Sequence, residues 1–322
     1  TTNNSNNASG MLGAWATVGN SWAVNSTNAA NGPITAYAGA YADYTRLESG
    51  TKVIANVATD NARIIDGTGT TPADLTLGAA TTDIATLSHT ATGGTVNIAM
   101  GTNTLRLGTS GGILAGTGTG ALNIGTAVNQ GFLSAGGSPL NTAGSLYLTN
   151  NSANTLTVNS PVVNNGTGAV TLVKNGSGLV TLAGYTGANY SGGTIVNVGE
   201  LRVAAPTTAA TYSTLGTAAV TVNTGATLRF FTGSTTNAIT YTNAINLNNA
   251  TLAHQDGNHT LSGAVAITGA NTITGVWGGK NLTMSGVISG SGSISKTNNG
   301  GNATTLTLSA INTYTGGTTV NA

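Results

Sequence analysis

Three groups of residues in this chain of 322 have the types and spacing to do chemistry. The first is a concentration of charge. Asp43, Glu48, Asp60, Asp66, Asp74 and Asp83 lie close together in the sequence, beside Arg46, Lys52 and Arg63, so six of the eight acidic residues fall in one short stretch. Clustered carboxylates can bind calcium, or serve as acid and base on a glycosidic bond. A calcium loop needs oxygen ligands at short alternating spacing, and these acids mostly stand farther apart than that. No EF-hand and no Gly-Gly-x-Gly-x-Asp repeat is present. The stretch therefore reads as structural or solvated charge, with calcium as the alternative.

The second group is His254-Gln255-Asp256-Gly257-Asn258-His259. On a strand His254 and Asp256 share a face, and His259 returns after the glycine turn, a spacing open to a metal ion. Between two ordinary strand patterns the same residues read as an exposed turn, and His89 as a surface ladder residue. There is no Gly-x-Ser-x-Gly nucleophile elbow, and with no cysteine there is no thiol chemistry. β-Helix polysaccharide lyases and hydrolases need a basic residue or paired carboxylates beside a sugar groove. Here Lys52, Arg63, Arg106, Lys174, Arg202, Arg229, Lys280 and Lys296 are scattered. The expectation is no enzyme and no cofactor.

The third group is aromatic. Trp15 and Trp22 flank Gly19-Asn20, a pattern compatible with a hairpin carrying both rings, and Tyr37, Tyr41 and Tyr44 follow at a spacing that fits one face of a short capping helix. Packing is the first expectation for these five residues; contact with a polysaccharide or a partner is the second.

The elements that must position these groups are strands. Only 5% of residues are charged and the net charge is +1, which excludes an electrostatic nucleic-acid binder and a polybasic membrane-surface protein. No run is long and apolar enough for a transmembrane helix. With 39% hydrophobic residues and only five prolines, the chain is unlike a disordered one. Runs such as Thr95-Val96-Asn97-Ile98, Ala169-Val170-Thr171-Leu172-Val173 and Ala264-Val265-Ala266-Ile267-Thr268 alternate apolar with Thr, Ser or Asn, and Gly/Asn turns separate them. A sandwich would also show many short strands, but one texture sustained over 300 residues favours a solenoid.

The repeat is explicit twice, at 178–203 and 304–322. Each copy runs strand, Asn-Tyr or Thr-Tyr, [Ser/Thr]-Gly-Gly-Thr, then a strand ending in Asn: Tyr190, Gly192, Gly193 and Asn197 in the first, Tyr314, Gly316, Gly317 and Asn321 in the second. Lys174-Asn175-Gly176-Ser177-Gly178 leads into the first copy, and Ser293–Asn298 looks like the same run-in to the second. These segments resemble the autotransporter-associated β-strand repeat of large secreted and surface passenger proteins of bacteria. The stretch Gly10–Val24 resembles a segment that often precedes such repeats. The resemblance implies a right-handed parallel β-helix, an extracellular or cell-surface location, and these motif residues in structural roles.

The expected organisation is an N-terminal aromatic segment over 1–65, a candidate cap, continuous with a solenoid over 66–322 that forms a single elongated rod. Coils of roughly 20–25 residues would make about 13–16 turns. Both ends read as cuts within a longer chain. The expected role is a structural protein that forms a rod or self-assembling filament, either through end-to-end β contacts between copies or by continuation in a longer parent. The alternatives are an adhesin that binds glycans through the aromatic end, a passenger whose repeat only aids secretion, and a carbohydrate-active β-helix enzyme.

Overall fold

Strict alternation of apolar with Thr or Asn places one side of each strand inward and the other in solvent. In the computed structural model this pattern builds parallel coils from Ala42 onward among the described residues. The structure describes residues 1–46, 50, 52–69, 73–205, 214–233, 238–276, 280–299 and 304–321. Among these there is no helix, and so none long and apolar enough to cross a membrane. The chain divides into two compact units, Thr1–Val180 and Thr181–Ala322.

The N-terminal unit opens with a small antiparallel sheet of Thr17–Val18, Ser21–Asn25 and Ile34–Ala36. Parallel stacking begins at Ala42–Thr45, inside the segment expected to precede the solenoid. The first solenoid sheet runs Ala42–Thr45, Asn61–Ile65, Thr86–His89, Ser110–Ala115, Gly144–Asn150, Val170–Asn175. The second runs Lys52–Ile54, Leu75–Leu77, Thr95–Ala99, Ala121–Ile124, Leu156–Val158, and a shorter third runs Thr81–Ile84, Thr104–Leu107, Phe132–Ala135. Successive coils pass from the first sheet to the second, three of them also add a strand to the third, and inward residues stack on those of the coil before. Leu75, Ile98, Ile124 and Val158 form one such ladder, with Val96, Leu122 and Leu156 beside it.

The C-terminal unit repeats this plan. Its sheets are Thr194–Val196, Val220–Val222, Ile245–Asn248, Val265–Thr268, Ile288–Ser289; then Glu200–Ala204, Thr227–Phe231, Thr251–Gln255, Ala270–Gly275, Ser293–Asn298, Thr318–Val320; then Ala238–Tyr241, Asn258–Leu261, Asn281–Met284, Thr305–Leu308. Val220, Ile245, Val265 and Ile288 form a fully buried column in register. Burying such a side chain contributes roughly 1.5–3 kcal/mol, so stacked aliphatic ladders supply the main cohesion of a chain that has no disulfide.

There are about 11 turns, fewer than expected from the sequence. Two features account for the difference. The first forty or so residues form the antiparallel segment instead of coils. One coil is also enlarged, because Ser145 is the residue that stacks on Ser110 and a loop with a cis Ser138–Pro139 bond lies between them.

Candidate functional sites

The Tyr-[Ser/Thr]-Gly-Gly-Thr motif closes on itself in both copies. The Tyr190 hydroxyl lies 2.7 Å from Thr194 Oγ1, and the Tyr314 hydroxyl meets Thr318 Oγ1 in the same way. Gly193 has φ +87°, where a side chain would be strained, and a Cβ at Gly316 would run into the Gly292 carbonyl oxygen. Gly192 and Gly317 complete the two turns. The terminal asparagines join ladders: Asn197 Oδ1 accepts from Asn223 Nδ2 at 2.7 Å, and Asn321 Nδ2 donates to Ser295 Oγ at 2.8 Å. The two run-in lysines also correspond. Lys174 and Lys296 alternate inward with Leu172 and Ile294 and are buried. Lys174 Nζ donates to the carbonyls of Asn175 and Gly176, while Lys296 Nζ donates to the Thr297 carbonyl, Asn298 Oδ1 and Thr304 Oγ1. Among the scattered basic residues these two pin the turn that follows their strand.

The aromatic group is divided. Gly19-Asn20 does turn a hairpin, but only Trp22 sits in its strands. Trp22 is fully buried with Met11, Ala14 and Leu114, so it is core of the unit and not part of an exposed row. Trp15 is 42% exposed, with Nε1 donating to the Leu12 carbonyl. The helical face expected for Tyr37, Tyr41 and Tyr44 does not form. Ile34–Ala36 is taken up by antiparallel pairing and Ala42–Thr45 by the parallel ladder, which leaves only Tyr37–Tyr41 as a connection. The segment also packs along the flank of its unit: Ala14 N donates to Ser110 O, and Asn20 exchanges two hydrogen bonds with Thr117.

That docking leaves a cleft of about 410 Å³, lined by Ser9, Tyr37, Tyr41, Thr59, Asp60 and Asn61 among others. The rings of Tyr37 and Tyr41 meet edge to face at 5.1 Å, and the Arg63 guanidinium lies 4.4 Å from the Tyr41 ring centre. Tyr44 lies apart from it, its hydroxyl accepting from Ala55 N.

The charge-rich stretch forms ion pairs between neighbouring coils. Asp43 and Arg63 are partners in register and bond twice at 2.7 Å; Asp83 and Arg106 are likewise in register, and Arg106 also reaches Asn165 Oδ1. Burial raises the pKa of Asp66, but the Thr92 amide, the Arg46 guanidinium and the Thr92 hydroxyl outweigh it and hold the carboxyl down at about 2. Glu48 lies outside the described residues. Among those described, no three of His, Asp and Glu gather to hold a metal ion. Farther along, Arg202 and Arg229 stack as like charges. They are kept apart by separate partners: Thr181 and the Phe231 ring for Arg202, Glu200 and Gln255 for Arg229.

All three histidines are buried, against the expectation of a surface ladder and an exposed turn. Asp256 and Gly257, both at positive φ, do turn the chain. Parity nevertheless puts His254 inward with Leu252, His259 with Leu261, and His89 with Leu87. In register, His254 stacks between Phe230 and Gly275, and His259 and Lys296 nearby also oppose a charge on its ring. Burial pushes His89 and His254 down to about 4 and lowers His259 as well. His89 Nε2 lies 3.1 Å from the Gly120 carbonyl, His259 Nε2 lies 2.9 Å from the Asp256 carbonyl, and neither ring nitrogen of His254 has a partner.

Parallel coils held by side-chain ladders define a β-solenoid. The passenger-associated-transport-repeat family matches residues 172–203 and 302–322, the same two segments whose tyrosine–threonine bonds coincide. The chain is thus a β-solenoid that carries two segments similar to the passenger-associated-transport repeat. No curated protein and no solved structure matches it.

Proposed function

We propose that this chain is a secreted or surface-exposed structural passenger that assembles by coil-on-coil stacking. The observation that carries this reading is the coil-on-coil register. Val220, Ile245, Val265 and Ile288 form one sealed column, and Leu282 and Met284 are fully buried beneath Leu306 and Leu308, their partners in register. A coil stacked in this way presents an apolar inner face and strand edges that a coil of like register can cover. The occupant in this reading is a coil of a second copy of the chain. Repeated head-to-tail contacts that do not close produce a fibre.

The role is non-catalytic and needs no cofactor. Asp43, Asp66 and Asp83 are engaged by arginines, and the histidines serve as core. The test is electron microscopy at low salt on the wild type and on a Leu306→Lys/Leu308→Lys variant. Fibres in the wild type that the variant lacks support the assembly. Dispersed particles in both, at every concentration, reject it.

A further inference from the structure

We propose that the cleft between residues 7–9 and the first coils of the N-terminal unit binds a linear, uncharged oligosaccharide. Its volume of about 410 Å³ falls in the range of small-molecule sites, roughly 300–1,000 Å³. Three features of its lining select the ligand.

The first is a fixed aromatic wall. Tyr37 and Tyr41 are half-buried and hold each other edge to face, the Tyr37 hydroxyl donates to the Ala40 carbonyl, and the Tyr41 hydroxyl lies 3.2 Å from Ser21 Oγ. Rings immobilised in this way offer apolar area without further ordering, as the C–H face of a pyranose requires.

The second is Asp60. Asp43, Asp66 and Asp83 pair with arginines and Asp74 accepts from Asn97, whereas the half-buried Asp60 carboxylate makes no ion pair or hydrogen bond among the described residues. An unengaged carboxylate in a cleft accepts strong bonds from adjacent hydroxyls, and it repels a uronate.

The third is continuity. A second hollow of about 400 Å³ shares Ala8, Ser9 and Thr59 with the first and runs on past Gly108, Ser110 and Gly137. A path lined by glycines and hydroxyls passes a chain of sugars and does not enclose a single one. Asn61 is held by the Ser9 carbonyl and Thr86, so it braces the wall.

The test is calorimetric titration of the full chain with cellohexaose, maltohexaose and hexagalacturonate. At least one neutral hexasaccharide binds saturably, and hexagalacturonate does not. Asp60→Ala removes a side chain with no structural partner, so it keeps the wild-type melting temperature while weakening binding about tenfold; Tyr37→Ala weakens it at least as much, and Trp15→Ala leaves it unchanged. The proposal is overturned if neither neutral sugar binds, if hexagalacturonate binds as well as they do, or if Asp60→Ala binds as the wild type does. None of these outcomes depends on whether fibres form, because the cleft residues and the Leu306/Leu308 pair belong to different units.

Discussion

The phenolic oxygen of Tyr190 lies 2.7 Å from the hydroxyl of Thr194 across Ser191-Gly192-Gly193, and both groups are shut off from water. Each is the other's main compensation for burial; the Thr214 carbonyl, at 3.5 Å, is a weak second partner of the tyrosine. Burial raises the Tyr190 pKa, so the phenol stays neutral and able to donate. Tyr190→Phe leaves a buried threonine hydroxyl without its partner and is expected to cost about 1–3 kcal/mol. Tyr314→Phe, at the more exposed copy of the same bond, is expected to cost less, since water can replace the lost oxygen. Urea denaturation of the two variants checks the order.

Acid should destabilise both units through their histidines. His89 and His254 titrate at about 4 in the folded chain, against an ordinary value of 6.5. The unfolded chain therefore binds the protons first. Above about pH 7 the two groups contribute no pH dependence; stability falls as pH drops from 6.5 towards 4, then levels off once the folded state also protonates. His254→Leu removes a ring with two unpartnered nitrogens from an apolar column. Its melting temperature at pH 5 is expected above that of the wild type, with a shallower loss between pH 7 and pH 4.

The two in-register ion pairs of the charge-rich stretch should differ in worth. Arg106 and Asp83 have side chains only 11% and 15% exposed, and Arg106 also holds Asn165. Arg106→Ala is expected to cost about 1.5–3 kcal/mol, the range for hydrogen bonds to charged groups. Arg63 and Asp43 are about one-third exposed, and Arg63→Ala is expected to cost about 0–1 kcal/mol. Repeating the denaturation in high salt should shrink the second effect and leave most of the first.

Lys174 tests whether a buried lysine in the run-in serves packing or polarity. Its ammonium donates at 2.9 and 2.6 Å to two successive carbonyls. Lys174→Met keeps the stem and loses the donor, with an expected cost of about 1–3 kcal/mol. Lys174→Ala loses both and should cost more, because a cavity is added. Equal losses in thermal denaturation would show that the ammonium, and not the stem, carries the effect.

Much of this molecule was legible in the residues alone. Alternation in Thr95–Ala99 or Val265–Thr268 has one solution on a pleated strand, and the recurrence of Gly/Asn turns without a change of texture pointed to stacked coils. The tyrosine, glycines and asparagine of each repeat copy stand out in the sequence, and in the structure Tyr190 and Tyr314 lie against Thr194 and Thr318 while Asn197 and Asn321 bond across coils. The same parity could have found the histidines: Leu252-x-His254, His259-x-Leu261 and Leu87-x-His89 each continue an inward face. The turn signal Gln-Asp-Gly-Asn and the polarity of imidazole obscured this, because burial of a titratable ring depends on the column above and below it.

Local residue patterns set the material of this protein: strands, their two faces, the turns between them and the repeated motif. All of these arise from local chemistry with a period of two or of one coil. Which residues meet about one coil apart follows instead from the folded register. It paired Asp43 with Arg63 and left Asp60 without a partner among the described residues, in a cleft. It buried Trp22 against Leu114 and sealed Leu282 beneath Leu306. Register across a coil of variable length fixes those relationships. No local pattern encodes that length, because each turn and loop can add residues without disturbing the alternation of the strands on either side.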